Sequence, residues 1–326
     1  MASRTSSRFG RRILWLAIAI VLVCAAYTGA WFYAARMLES RAVAVLEKVN
    51  GGGVRAFCEE PQARGFPFRI GLFCKSIFYE NIHDGVSVRA GQLRSAAHVY
   101  QPFRVLSEVD GPASIMTPFT VPLRAQWGSL RASTRLTRPL PETVSVEGKA
   151  VRVSAEEGGG TLLAEMDDLQ VHARQREADL EAALSFRNLR VGEEIVTGLP
   201  ALEGRMLLLV TDGVALVQNR TRSLRGQSLT IEEMVVGLAG QRAEVSLSGP
   251  ISVDDEGLID AELSVGIDDP AAVAEQVARI FPDERDQIMA ASGMVGGFAG
   301  APLQIRIVSG RIFLGFIPLG TIPPVD

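Results

Sequence analysis

Hydrophobic and polar positions fall into three regimes along the chain. Ile13 to Ala35 is an uncharged run of 23 residues. A helix of that length, rising about 1.5 Å per residue, covers roughly 35 Å, more than the ~30 Å hydrocarbon core of a bilayer. From Arg36 to Asn50 apolar residues return every three or four positions. Leu38, Ala42, Val45, Leu46 and Val49 share one face and predict an amphipathic stalk helix over 36–50. Asn50-Gly51-Gly52-Gly53 ends it with residues that tolerate positive φ. From Val54 onward the period drops to two, as in Val86-Ser87-Val88-Arg89, Val144-Ser145-Val146-Glu147 and Leu169-Gln170-Val171-His172.

Such alternation predicts half-buried strands with one apolar and one polar face. Val151-Arg152-Val153-Ser154 reads as a new strand after a turn centred on Gly148, and Leu303, Ile305 and Ile307 lead into a Ser309-Gly310 turn. Asp84-Gly85, Asp110-Gly111-Pro112, Gly158-Gly159-Gly160, Asp212-Gly213 and Asp255-Glu256-Gly257 punctuate the strands. One stretch breaks the pattern. Asp268-Asp269-Pro270 reads as a helix start, the helix-friendly residues run to Ile280, and Pro282-Asp283 restarts a second helix through Met289 before a loose glycine-rich segment from Gly293 to Gly300. The expectation is a mainly β protein: a transmembrane helix, then a long curled antiparallel sheet of about ten to twelve strands at ~4.8 Å spacing, with a short two-part helix near the C-terminus. The segments are a basic tail over 1–12, an anchor over 13–35, the stalk over 36–50 and one β domain over 54–326.

Charge gives the anchor a direction. Arg4, Arg8, Arg11 and Arg12 flank its N-terminal end, which places the amino terminus in the cytoplasm and the β domain in the periplasm of a single-pass inner-membrane protein. Trp15 falls at the inner boundary, and Tyr27, Trp31 and Tyr33 toward the outer one. A cleaved signal peptide is the alternative, with Thr28-Gly29-Ala30 as its cleavage site, although its apolar region is normally only 7–15 residues. Cys24 reads as a buried apolar thiol in the span. The first 35 residues hold four arginines and no acid, so of the formal net charge of −4 the remainder carries −8. An acidic outer domain argues against a nucleic-acid partner and against electrostatic adhesion to an anionic membrane face.

Candidate chemistry is sparse. His83, His98 and His172 form no H-x-x-x-H or H-E-x-x-H pair, so no metal site is expected. No G-x-S-x-G occurs, and neither Gly51-Gly52-Gly53 nor Gly158-Gly159-Gly160 continues as a phosphate loop. Asp254-Asp255-Glu256-Gly257 lacks the alternating carboxylates of a calcium loop and reads as a hairpin turn. No catalytic residue and no cofactor are expected. Cys58 and Cys74, the two cysteines outside the span, read as a disulfide, the alternative being a metal pair for which His83 is the one further ligand nearby. Within that loop lies Gly65-Phe66-Pro67-Phe68-Arg69-Ile70. Its proline predicts an edge or lead-in strand, with Phe66 and Phe68 wedged into the core and Arg69 starting the polar face.

The Gly65-Phe66-Pro67-Phe68-Arg69-Ile70 core, framed by two cysteines after an N-terminal anchor, resembles the bacterial family called domain of unknown function 2125. A looser resemblance covers the C-terminal third. Ser248-Gly249-Pro250-Ile251, then Gly257-Leu258-Ile259-Asp260, then the Asp-Pro helix, then Gly310-Arg311-Ile312-Phe313 follow an order similar to that of AsmA-like envelope proteins. That resemblance implies a periplasmic sheet curled around an apolar groove, a role in lipid traffic, and no catalytic residues. The expected function is thus non-catalytic: sheltering or transferring lipid acyl chains in envelope upkeep. The alternative is a structural protein that docks a partner strand on an exposed sheet edge.

Overall fold

A computed structural model describes residues 6–156, 160–219, 223–296 and 302–325. A single helix, α1 (Ser6–Val49), opens the chain. The basic tail from Ser6, the apolar run and the stalk are therefore one continuous helix, because there is no proline between Ser6 and Val49 and the glycines within it, Gly10 and Gly29, are tolerated at a modest propensity cost. After the predicted glycine stop the chain makes strands only, up to Val210: β1 (Val54–Cys58), β2 (Gln62–Arg64), β3 (Arg69–Cys74), β4 (Ile77–Asn81), β5 (Val86–Ala90), β6 (Leu93–His98), β7 (Gln101–Val109), β8 (Ala113–Thr117), β9 (Thr120–Gln126), β10 (Ser129–Arg135), β11 (Thr143–Ala155), β12 (Leu162–Arg176), β13 (Asp179–Val191) and β14 (Leu202–Val210). Then come α2 (Gly213–Gln218), β15 (Ser228–Leu238), β16 (Glu244–Val253), β17 (Ile259–Asp268), α3 (Pro270–Ile280), α4 (Arg285–Gly296), β18 (Leu303–Val308), β19 (Arg311–Leu314) and β20 (Ile317–Thr321).

These twenty strands, well above the ten to twelve expected, form one sheet in which every pairing is antiparallel. The main ribbon runs β2-β3-β6-β7-β10-β11 and then through β12 to β20 in sequence order. At fourteen strand spacings of about 4.8 Å it extends roughly 65–70 Å along the hydrogen-bonding direction. A second branch, β1-β4-β5-β8-β9, joins it at β11. Residues 143–149 of β11 pair with β10, and residues 152–155 pair with β9. Gly148 is thus no turn. It lies inside one 13-residue strand, and Ala150, at φ +50°, bends that strand where its partner changes.

The Cys58–Cys74 disulfide ties β1 of the branch to β3 of the ribbon. Around it the fold is filled: Cys74 is 1% exposed, and Ala90, Ala97, Ala113 and Ala125 are buried. Small side chains at these places let the two branches approach closely. Gly71 in β3 goes further, since a Cβ there would stand 1.7 Å from the Ser95 carbonyl oxygen.

The helical interruption begins as expected. Asp269 caps α3, its side chain accepting from Ala272 N at 3.1 Å, with Pro270 at the first position. The second helix runs on past Met289 and Gly293 to Gly296, so the glycine-rich segment is helical over its first part, and residues 297–301 lie outside the described residues, as do Gly158 and Gly159. At Asp212-Gly213 the expected turn opens into α2, which seats on β13 and β14. A Cβ at Gly213 would meet Leu180 Cβ at 2.6 Å.

Candidate functional site

Two features stand out on this scaffold, a clamp between α1 and the cysteine-framed motif, and one face of the ribbon. α1 packs on β1, β2 and β3. The face it presents is Thr28, Trp31, Ala35, Leu38, Ala42 and Leu46, at helical spacing; Trp31 and Ala35 are buried and the rest half-buried. Val45 and Val49, expected on that stripe, are exposed. Cys24 is a free thiol on the exposed side of the helix, not packed against protein.

The motif meets this helix. Gly65, Phe66, Pro67 and Phe68 make the turn between β2 and β3, and Arg69 starts β3. Gly65 is required there: its φ is +121°, and a Cβ would sit 2.8 Å from the Arg69 carbonyl oxygen. The backbone N–H of Arg69 donates to the Gly65 carbonyl at 2.9 Å and closes the turn. Trp31 Nε1 donates to the Arg69 carbonyl at 2.9 Å, and Tyr27 Oη donates to the Pro67 carbonyl. The Phe66 ring stands edge-on to Trp31 at 5.4 Å and stacked with Phe32 at 5.9 Å. About two turns further along the helix, the Ala63 N–H donates to Glu39 Oε1 at 2.6 Å. Phe66 and Phe68 therefore do not wedge into the β core. Both are exposed at the tip of a turn, because the proline ends pairing there and the helix, not the sheet, offers the apolar surface. Pro67 itself lies in the turn and not in a strand; β2, before it, is an edge strand paired with β3, and α1 covers its other side.

The ribbon's apolar face is continuous through the strand register. Val146, Val171, Leu184, Met206, Met234, Leu247, Val265 and Leu303 are directly opposite one another from β11 to β18. That single row spans about 34 Å at ~4.8 Å per strand. A neighbouring row runs Gly148, Leu169, Phe186, Gly204, Val236, Val245 and Ile267. Gly204 gives its space to the Phe186 ring, whose Cζ would be 2.6 Å from an added Cβ. No residue of the first row is fully buried, and Val171 is 39% exposed. Under a second packed layer such residues would be buried.

The reverse face is held by ion pairs. Arg174 and Arg176 reach Glu181 at 2.8 and 3.2 Å, and Arg205 reaches Glu233 at 2.8 Å; Arg152 and Arg190 reach Glu165 at 2.9 and 3.2 Å beyond the Ala150 bend, on the side of β12 that carries Leu169 and Val171. Lys149 and Arg187 both pair with Asp168, the most buried acid among them. Hydrogen bonds from these arginines hold the Glu165, Glu181 and Glu233 carboxyls below the usual range. The pairs were not foreseen, although the charged residues at alternate strand positions carried their signal. Each cross-strand pair adds a few tenths to about 1 kcal/mol and together they pin the register that aligns the apolar rows.

Among the described residues no group of three or more His, Cys, Asp or Glu could hold a metal ion. His83 Nε2 lies 2.8 Å from the Gly52 carbonyl, and His98 stacks on Tyr100 at 4.9 Å.

A model of the family described as an uncharacterised protein conserved in bacteria, DUF2125, matches residues 31–323. The chain belongs to the DUF2125 family. The match takes in the whole sheet, the Cys58–Cys74 loop and α1 from Trp31, so the motif and its clamp lie inside the family region. No curated protein and no solved structure matches this DUF2125 chain. The likeness of its C-terminal third to AsmA-like proteins accordingly rests on the order of segments alone.

Proposed function

We propose that this DUF2125 protein is a non-catalytic, membrane-anchored envelope protein whose ribbon shelters lipid acyl chains on its apolar face. The carrying observation is the half-exposed row from Val146 to Leu303. An acyl chain spans half of a ~30 Å hydrocarbon core, about 15 Å, so the ~34 Å row is long enough to shelter one. Each methylene removed from water contributes about 0.8 kcal/mol. Bulges in β12, β13 and β15 bend the sheet and favour a curl around that face. The anchor reading draws on the exposed apolar run of α1, which is long enough to cross a bilayer. Arg11 and Arg12 before the run favour a cytoplasmic amino terminus, and the disulfide favours an oxidising compartment such as the periplasm for the sheet. Detergent-free purification followed by lipid mass spectrometry tests the reading. Phospholipid bound in near-stoichiometric amount is the expected result, and repeated lipid-free preparations would overturn it.

A second reading draws on the other end of the ribbon. α1 covers the β2 edge, but every residue of β20 is exposed, with Phe316, Ile317 and Leu319 among the exposed apolar side chains. An open edge of that kind accepts a partner strand. A photo-crosslinker at Ile317 would then trap one discrete envelope protein in cells, and a smear or no adduct would count against it.

A further inference from the structure

We propose that three hairpin tips beside α1 form a foot that dips into the anionic outer surface of the bilayer the helix crosses. The inference rests on the anchor reading. The tips are the β2–β3 turn, the β6–β7 turn and the β10–β11 loop. They are contiguous: Arg69 is paired with His98, the Val99 N–H donates to the Phe68 carbonyl at 3.1 Å, and the Leu136 N–H donates to the Phe103 carbonyl at 2.8 Å.

Their height is set by the clamp. Pro67 is held by Tyr27 and Arg69 by Trp31, nine and five residues before Arg36, the first charge after the apolar run. At 1.5 Å per residue the tips lie about 7–13 Å below the level of that charge, within the uncharged length of the helix. The interfacial zone on each side of the hydrocarbon core is roughly 5–7 Å deep, so side chains at the tips reach the headgroup–acyl boundary.

Their composition fits that location. Phe68 is 67% exposed and Phe103 68%, while Tyr100 and Leu136 are exposed beside them. Aromatic rings favour this boundary. Residues 62–69, 98–104 and 135–142 hold Arg64, Arg69, Arg104, Arg135 and Arg138 against one acid, Glu142, a net of +4 on a region whose total beyond the span is −8. Basic charge is therefore concentrated on the one end that the helix holds against the membrane. Arg104 is directly opposite Arg135 on the adjacent strand; Arg135 pairs with Glu142 at 3.0 Å, so one net positive charge of the three faces the phosphate layer here. A cleft of about 820 Å³ opens between them, walled by Tyr100, Phe103 and Leu136 on its apolar side.

The full chain, with Cys24→Ala, is reconstituted in phosphatidylglycerol vesicles and labelled with a fluorophore at a single introduced cysteine: Ile20→Cys in the helix, Phe68→Cys or Phe103→Cys in the foot, or Phe316→Cys at the far end of the ribbon. Lipids with a nitroxide near the carbonyl end or near the tail end of the acyl chain then quench the probes. The expected result is tail-end quenching at position 20, carbonyl-end quenching at 68 and 103, and none at 316. Arg104→Gln with Arg138→Gln weakens quenching at 68 on phosphatidylglycerol and leaves it unchanged on phosphatidylcholine. Quenching at 20 without quenching at 68 and 103 overturns the foot alone. Absence of quenching at 20 overturns the anchor and the foot together.

Discussion

Trp31→Ala is the substitution that most directly probes how α1 and the sheet are joined. Trp31 is 6% exposed, donates to the Arg69 carbonyl at 2.9 Å and supports the Phe66 ring at 5.4 Å. Truncating a buried tryptophan costs about 3–5 kcal/mol, a figure that already includes much of the lost packing. The Arg69 carbonyl also loses its donor, about 1 kcal/mol for a group that water can still reach. If the whole cost, about 4–6 kcal/mol, falls on opening of the clamp, the open state gains about 10³- to 10⁴-fold in population, at ~1.4 kcal/mol per decade. Hydrogen exchange on the intact protein in lipid nanodiscs reads this, because amides in β2 and the following turn exchange through that opening. Ala63 and Arg69 N–H should lose protection by about three to four orders of magnitude while β12 to β17 keep theirs. Trp15→Ala, on the exposed part of the helix, should change neither. Unchanged exchange over 62–70 in Trp31→Ala would refute a clamp, and equal loss over the whole sheet would show that Trp31 supports the global fold instead.

Replacing Cys58 and Cys74 by alanine should lower stability by about 3 kcal/mol, the loop-entropy value for a crosslink spanning 16 residues, seen as a lower denaturation midpoint with a slope equal to or steeper than before, because the unfolded chain is released. For Glu165, Glu181 and Glu233 the folded-state pKa is depressed, so their contribution is complete above the ordinary glutamate range near 4.3 and is lost as pH falls through the lowered values. Because these side chains and their arginines are substantially solvated, the three together account for about 1–2 kcal/mol. Thermal melts should therefore hold steady from pH 7 to about 5 and drop below it, with a smaller drop in the triple Glu→Gln variant and in high salt.

The sequence disclosed kinds of structure more readily than their partners. Period-two alternation announced the antiparallel sheet, and Asp269-Pro270 announced α3, because both are local signals. The strand count fell short where turns are as short as the Lys75–Ser76 link between β3 and β4, which lacks glycine and proline. Gly148 was misleading because a glycine opposite Leu130 and Leu169 makes room inside a strand as readily as it makes a turn. The branch at β11 had no local signal at all, since a strand that exchanges β10 for β9 looks like any other alternating segment. The residues of the motif mark it in the sequence, whereas the surface it meets, α1 and not the β core, is set by the fold. Phe66 and Phe68 could be seen to be special, but α1 as their neighbour depends on a chain reversal between Asn50 and Gly53 that brings positions about forty residues apart together. Bulk charge likewise concealed the arginines gathered at the hairpin tips, because only the fold brings 62–69, 98–104 and 135–142 to one end.

Acyl-chain sheltering, as proposed, requires lipid on one face of the ribbon and not on the other. Photo-crosslinking amino acids placed singly at Leu184 and Met206 on the apolar row, and at Gln170 and Ser185 on the ion-paired face, test it in cells by intact-protein mass spectrometry. Lipid-mass adducts at 184 and 206 with none at 170 and 185 are the predicted result; adducts on both faces alike, or on neither, would contradict it.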